Sequence, residues 1–239
     1  MSAFLQDALA LVVDPDLFDR YGWRMLEGLW IAVKLVGSSC TLGLLLGMPL
    51  ALGRMSDVRP VQLFCRAYIY FFRGSPLLAQ LFLIYYGLGS MRGFWQDVGL
   101  WWFFRDAWYC SLLAFTLNTA AYQAEIFRGS LLAVPKGQYE ACKALGLHRA
   151  TAFLKVVLPQ SMLVALGPLG NELILMIKAS AIASLVTVYD VMGVARLAFS
   201  RTFDFQVYLW AALLYLLIVE IVRRVLRRIE WRLSRHMVR

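Results

Sequence analysis

Charge is scarce in this chain: Asp, Glu, Lys and Arg together are only 16% of its 239 residues, where a soluble domain carries about 25%. Apolar residues reach 61%, more than one aqueous core can enclose, which excludes a soluble globular domain and makes lipid the second solvent. Histidine is nearly missing. His148 and His236 supply no pair to ligate a haem inside a bilayer, which excludes a respiratory haem subunit. The four cysteines, Cys40, Cys65, Cys110 and Cys142, form no CxxC pair and are expected to be buried free thiols. No GxxxxGK followed by Ser or Thr occurs, so there is no loop of that type to cradle nucleotide phosphates. Neither a nucleophile with its base nor a metal-ligand cluster stands out, which argues against a membrane hydrolase or transferase. The first twenty residues hold Asp7, Asp14, Asp16 and Asp19 without an early basic cluster, unlike a cleaved signal peptide.

What is present is long apolar runs. They predict an all-α, polytopic membrane protein of one domain with five transmembrane helices, at about residues 29–53, 63–88, 107–128, 160–188 and 205–224. Leu35 to Gly53 is nineteen residues without charge, and Ala107 to Ala124 is eighteen. The second run is broken at Arg73, Gly74, Ser75 and Pro76, so its helix is expected to kink where proline removes a hydrogen bond. The fourth contains Glu172 and Lys178, both costly at membrane depth unless paired or solvated.

Basic residues assign the sides. Segments 53–66, 126–158 and 221–239 hold 3, 5 and 7 Lys or Arg, against 3, 2 and 2 in segments 1–34, 89–106 and 189–204. The richer set belongs in the cytoplasm, which puts the N-terminus outside and the basic C-terminal helix at the anionic inner leaflet. The net charge of +9 is thus read as anchorage to membrane lipid, and no nucleic-acid motif accompanies it. Two external connections, Gly89–Trp108 with its four tryptophans and Asp190–Asp204, read as interfacial helices, with a docking platform as the alternative.

The connection from Val134 to Pro159 is too long for a simple link, and long loops are usually functional. Pro135 can open a helix, Gly146 interrupts it, and Pro159 marks where a new helix can begin. Small residues Ala141, Cys142 and Ala144 allow close approach by a partner. Glu140 and Lys143 offer polar contacts, and Leu145 an apolar knob.

The spacing of Glu140, Ala141, Gly146, Val156, Leu158 and Pro159 resembles the EAA loop of ABC-importer permeases, with Cys142 where a second alanine is usual. FFRGSPLLAQ from Phe71 to Gln80 and LNTAAYQAEIFRGSL from Leu117 to Leu131 look like the polar amino acid permeases. GNELILMIKASAIAS from Gly170 to Ser184 is similar to subunits importing histidine, lysine, arginine and ornithine, and to opine importers. The resemblance implies the type I ABC importer permease fold in a bacterial inner membrane, and transport of basic amino acids or opines. It implies that the loop's first part is a coupling helix, with Glu140, Ala141, Lys143, Ala144, Leu145, Gly146 and Leu147 meeting an ATPase. The chain itself then needs no cofactor and is no enzyme, because ATP binds a dimer of partner ATPases. A second permease, a different chain in the histidine-type importers, and a periplasmic amino-acid-binding protein complete the expected assembly.

An acid facing the bundle interior is the natural partner for a cationic amino acid, which makes Glu172 the leading substrate candidate. At about 100° per residue, Ala179 lies on its side of the helix and Lys178 does not; some relatives that carry cationic amino acids have an acid where Ala179 stands. Asn118, Tyr122 and Glu125 share one face of the third span. Asn118 can line a cavity or hydrogen-bond a neighbouring helix, and Ser75 at the break can expose backbone groups. The competing function, an ion-coupled secondary transporter, has no reason to present the EAA spacing.

Overall fold

The computed structural model describes residues 15–234, and all regular structure among them is helical. The expectations placed on Asp7, Asp14 and His236 lie outside these residues. The elements are α1 (Pro15–Arg54), α2 (Arg59–Gly74), α3 (Leu77–Phe82, continued by a wide turn over Leu83–Leu88), α4 (Arg92–Asp97), α5 (Trp101–Phe104) and α6 (Ala107–Leu132). They continue with α7 (Lys136–Ala144), α8 (Arg149–Ala152), a second wide turn (Phe153–Val157), α9 (Leu158–Ala179), a tight turn (Ser180–Val186), α10 (Val191–Thr202) and α11 (Gln206–Ser234).

Two helical stretches, Pro15–Arg54 and Arg149–Val186, are long and apolar enough to cross a bilayer, and Arg59–Gly74 with Leu77–Leu88 makes a third if counted as one broken span. Both stretches start well before the apolar runs that announce them. Pro159 stands in the first turn of α9, yet the helical path into α9 runs without a stop from ten residues earlier. The helix begins at Arg149, capped by the His148 Nδ1, which accepts from the Ala150 N–H at 3.3 Å. A proline ring crowds the carbonyl four residues earlier, here Lys155, which lies in the wide turn Phe153–Val157. Widening the turn lets the helix carry Pro159 instead of stopping for it. At the other break the chain does stop: Ser75 is extended, with φ −107° and ψ 148°, as a residue before proline prefers.

The chain divides into two compact units, each assembled from three stretches. Among the described residues the first takes 15–38, 78–114 and 176–221. Leu17, Tyr21 and Met25, four apart on α1, are buried with Val191, Val194, Ala195 and Ala198 of α10 and Val207, Trp210 and Ala211 of α11. This stripe explains why α1 is already helical at Leu17, well before its apolar run. Asp190 is fully buried as the N-cap of α10; Oδ1 accepts the Gly193 N–H and Oδ2 the Tyr215 hydroxyl, each at 2.8 Å. Gly28 lets α1 approach that cap, since a Cβ there would sit 2.7 Å from the Asp190 carbonyl carbon. Segment 190–204 is therefore a helix packed along one face. The aromatic segment 89–108 forms the short α4 and α5, with the Trp95 and Phe104 rings stacked at 3.9 Å and the Trp95 Nε1–H on the Leu88 carbonyl at 2.7 Å.

Among the described residues the second unit takes 39–77, 115–175 and 222–234. On α1, Gly43 and Gly47 face α6: a Cβ on Gly43 would lie 2.6 Å from the Thr119 Cγ2, and one on Gly47 3.2 Å from the Ala120 carbonyl and the Ala124 nitrogen. Small residues four apart let apolar helices meet backbone to backbone, where dispersion and short hydrogen bonds hold them without help from water. Ala51, Ile69, Ala124, Phe127 and Ala165 close the core beside them. All four cysteines are free; Cys65, Cys110 and Cys142 are buried and Cys40 half-buried.

Candidate functional site

The loop after α6 presents a helix on a fixed base. Leu131, Val134 and Val157 are buried together, with Phe153 against them. The Tyr139 hydroxyl donates to the Leu131 carbonyl at 3.3 Å, and Gln160 Nε2 to Gln138 Oε1 at 3.2 Å. Cys142 points inward. Glu140, Ala141, Lys143, Ala144, Leu145, Gly146 and Leu147 are all exposed, Leu145 by 77%.

The end of α7 is set by Gly146. With φ at +67°, it lets its own N–H reach the Lys143 carbonyl at 3.1 Å and the Leu147 N–H the Cys142 carbonyl at 3.0 Å. These two bonds define a Schellman stop, and the left-handed residue that makes it is normally glycine. An exposed nine-residue helix, closed by a defined turn and underpinned by its own apolar anchors, is suited to seat in another protein's cleft. Its outward ridge of small and charged residues has little to gain from burial within this chain.

The polar residues at membrane depth are gathered by other means. Glu172 is 6% exposed, and its Oε1 accepts the Thr119 hydroxyl at 3.0 Å. Gln123 Nε2 donates to Thr119 Oγ1 at 3.2 Å and to the Cys40 carbonyl at 3.3 Å. The relay ties α1, α6 and α9 to one acid through donors that each find an acceptor where water cannot supply one, while the Gln123 Oε1 is buried without a hydrogen-bond partner. Asn118 Nδ2 donates to the Phe72 carbonyl at 2.9 Å, and the Tyr122 hydroxyl to that of Arg73 at 3.5 Å. Both thereby serve the orphan carbonyls at the broken end of α2. The Ser75 hydroxyl turns back to the Phe71 carbonyl at 2.7 Å. Ala179 is half-buried at the end of α9. Thr119 links to Glu172, while Asn118 and Ser75 both bond carbonyls near the end of α2, so these side chains form two clusters rather than one.

A third cluster escaped the sequence reading. Glu125 Oε2 takes Arg128 Nη2 at 3.0 Å, Oε1 takes Arg54 Nη1, and Arg73 Nη1 stands 3.9 Å from Oε2. The Arg73 guanidinium also lies over the Tyr122 ring, 5.2 Å from its centroid. The one available signal was that three apolar runs carry arginine at or near an end.

Comparison with known proteins assigns the chain to a family. Residues 43–235 match the family model described as "Binding-protein-dependent transport system inner membrane component". The nopaline transport system permease protein NocM of Agrobacterium fabrum is 39% identical over 215 residues, 90% of this chain and 89% of that protein. The arginine ABC transporter permease protein ArtM of Haemophilus influenzae is 35% identical, over 90% of this chain and 94% of its own. Among solved structures, an amino acid ABC transporter crystallised with histidines superposes with a TM-score of 0.80 at 34% identity, covering 92% of this chain and 99% of that one. The inward-facing MetNI methionine transporter shares the fold, with a TM-score of 0.71 at 18% identity over 89% of this chain and 97% of that one.

Proposed function

The chain belongs to the family of binding-protein-dependent transport system inner membrane components and is a permease subunit of an ABC importer, and on that premise we propose the assembly and cargo it serves. It crosses the bacterial inner membrane five times, N-terminus outside and C-terminus in the cytoplasm. Lys and Arg number fifteen on the assigned cytoplasmic side against seven on the other, and this asymmetry supports that orientation. A second permease, of a different sequence, stands beside it. An ATPase dimer binds from the cytoplasm and an amino-acid-binding protein from outside. The exposed ridge Glu140–Leu147 enters a cleft of one ATPase, and closure of the ATPase dimer moves α6 and α9 through Val134 and Val157, which anchor the ridge.

The cargo is a basic amino acid or an opine. The observation that carries this reading is that relatives covering nine-tenths of the chain are named for nopaline and arginine, which share a guanidinium group. Glu172 is the acid that meets the cation, with Asn118, Ser75 and Ala179 bordering the path. In the state described here Glu172 is closed off behind Thr119, so cargo reaches it only when that hydroxyl gives way. The test is the reconstituted importer with its binding protein. Arginine, octopine or nopaline should stimulate ATP hydrolysis several-fold; stimulation by a neutral amino acid and by none of these would refute the cargo.

A further inference from the structure

We infer that the cavity between the end of α1, α2 and the Glu125 end of α6 is a site for a phosphate-bearing anion, and that the anion is the headgroup of an anionic phospholipid. The cavity measures about 600 Å³ and is lined by Arg54, Arg66 and Arg73 with Glu125 as its one carboxylate. Such a volume falls within the roughly 300–1,000 Å³ of small-molecule sites.

Charge makes the first part of the case. Glu125 is taken by Arg128 through two nitrogens and by Arg54 through one, while Arg73 stays at 3.9 Å. Among the described residues no ion pair or hydrogen bond reaches Arg66, although it lines the same cavity. Three guanidiniums, those of Arg54, Arg73 and Arg128, therefore meet one carboxylate, and Arg66 adds a further positive charge to the cavity wall. An ionised carboxylate offers about four lone-pair sites and each guanidinium five N–H donors, so Glu125 cannot satisfy them all. Beside a bilayer the surplus positive charge is poorly screened. A phosphate diester relieves it, because its oxygens accept the paired donors of a guanidinium fork.

The walls choose between the two sources of phosphate. Leu63 and Tyr70 line the cavity and are 68% and 81% exposed, and Phe64 and Phe71 beside them on α2 are 67% and 51% exposed. A free phosphate gains nothing from this apolar surface. An acyl chain hanging from a bound headgroup covers it. Basic pockets between spans on the cytoplasmic side are where anionic headgroups collect. Only the leaflet rests on the proposed orientation; lipid retention is blind to leaflet, so failure of the one is read apart from failure of the other. The site is independent of the cargo.

The test counts the lipids held by the whole importer, purified in non-ionic detergent and offered phosphatidylglycerol and phosphatidylcholine at equal concentration, by native mass spectrometry. The unaltered importer should prefer phosphatidylglycerol by about tenfold, the equivalent of one charge-assisted contact. Arg66→Gln should abolish the preference and Arg66→Lys retain part of it. Arg59→Gln, a change on the same helix outside the cavity, should leave it intact. Because the Arg66 side chain has no ion-pair or hydrogen-bond partner among the described residues, its replacement leaves the chain assembled. Equal preference in the unaltered and Arg66→Gln importers, or equal loss with Arg59→Gln, would overturn the site. Displacement of phosphatidylglycerol by millimolar inorganic phosphate at matched ionic strength would overturn the lipid and assign the cavity to a free anion.

Discussion

Replacing Gly146 with valine isolates the turn that ends the coupling ridge. A Cβ at this position meets nothing within 4 Å, so a side chain displaces no neighbour and the whole effect is conformational. The native φ of +67° costs an ordinary L-residue about 1–2 kcal/mol, and more for a β-branched one. Leaving the left-handed region instead gives up the bonds to Cys142 and Lys143, each worth about 0.5–1.5 kcal/mol. Either route costs about 2 kcal/mol, equivalent to roughly thirtyfold in the population of the seated geometry. Transport-linked ATP hydrolysis in the reconstituted importer should therefore fall about ten- to thirtyfold. Gly146→Asn, whose side chain tolerates the left-handed region, should stay within about threefold. Full hydrolysis and uptake with valine in a normally assembled complex would refute the reasoning, as would equal impairment by valine and asparagine.

Three further changes test the buried framework. Glu172→Gln keeps an acceptor for the Thr119 hydroxyl but removes the charge, so the importer should assemble normally and take up arginine more slowly; unchanged uptake takes Glu172 out of the path. Gly47→Leu drives a side chain against the Ala120 carbonyl and the Ala124 nitrogen, backbone atoms that cannot yield, and should cost more than about 3 kcal/mol and remove the assembled complex from gel filtration. Gly37→Leu, with nothing within 4 Å of its Cβ, should leave the elution profile unchanged. Asp190→Ala strips the N-cap of α10 and leaves the hydroxyl of the half-buried Tyr215 without its carboxylate acceptor, a loss of about 2–4 kcal/mol. Asp190→Asn should recover most of it, as read by the midpoint of thermal unfolding in detergent.

How far the sequence could reach depended on whether a feature was local. Gly146 was legible because a helix stop is made by the residues around it: two backbone bonds, each spanning five residues or fewer, require one left-handed position. The helical stretch of α1 ahead of its apolar run was not, because the polar residues around Leu17, Tyr21 and Met25 mask their stripe, and only burial against α10 and α11 reveals it. Pro159 marked the first turn of α9 but hid the helical path leading into it, since its cost is absorbed one turn earlier by a wide turn that leaves no mark in composition. Glu125 shows the limit most plainly. Helical periodicity placed it on one face with Asn118 and Tyr122, and that face does meet α2. Its charge, however, is answered by Arg54, 71 residues away, and by Arg73 from another helix, and no periodicity pairs residues so remote. What a sequence does offer is charge balance by segment. Arg54, Arg59, Arg66, Arg73 and Arg128 lie within or beside the facing ends of three apolar runs, where Asp57 and Glu125 are the acids nearby. A surplus of that kind at a membrane face is a reason to look for an anion before coordinates exist.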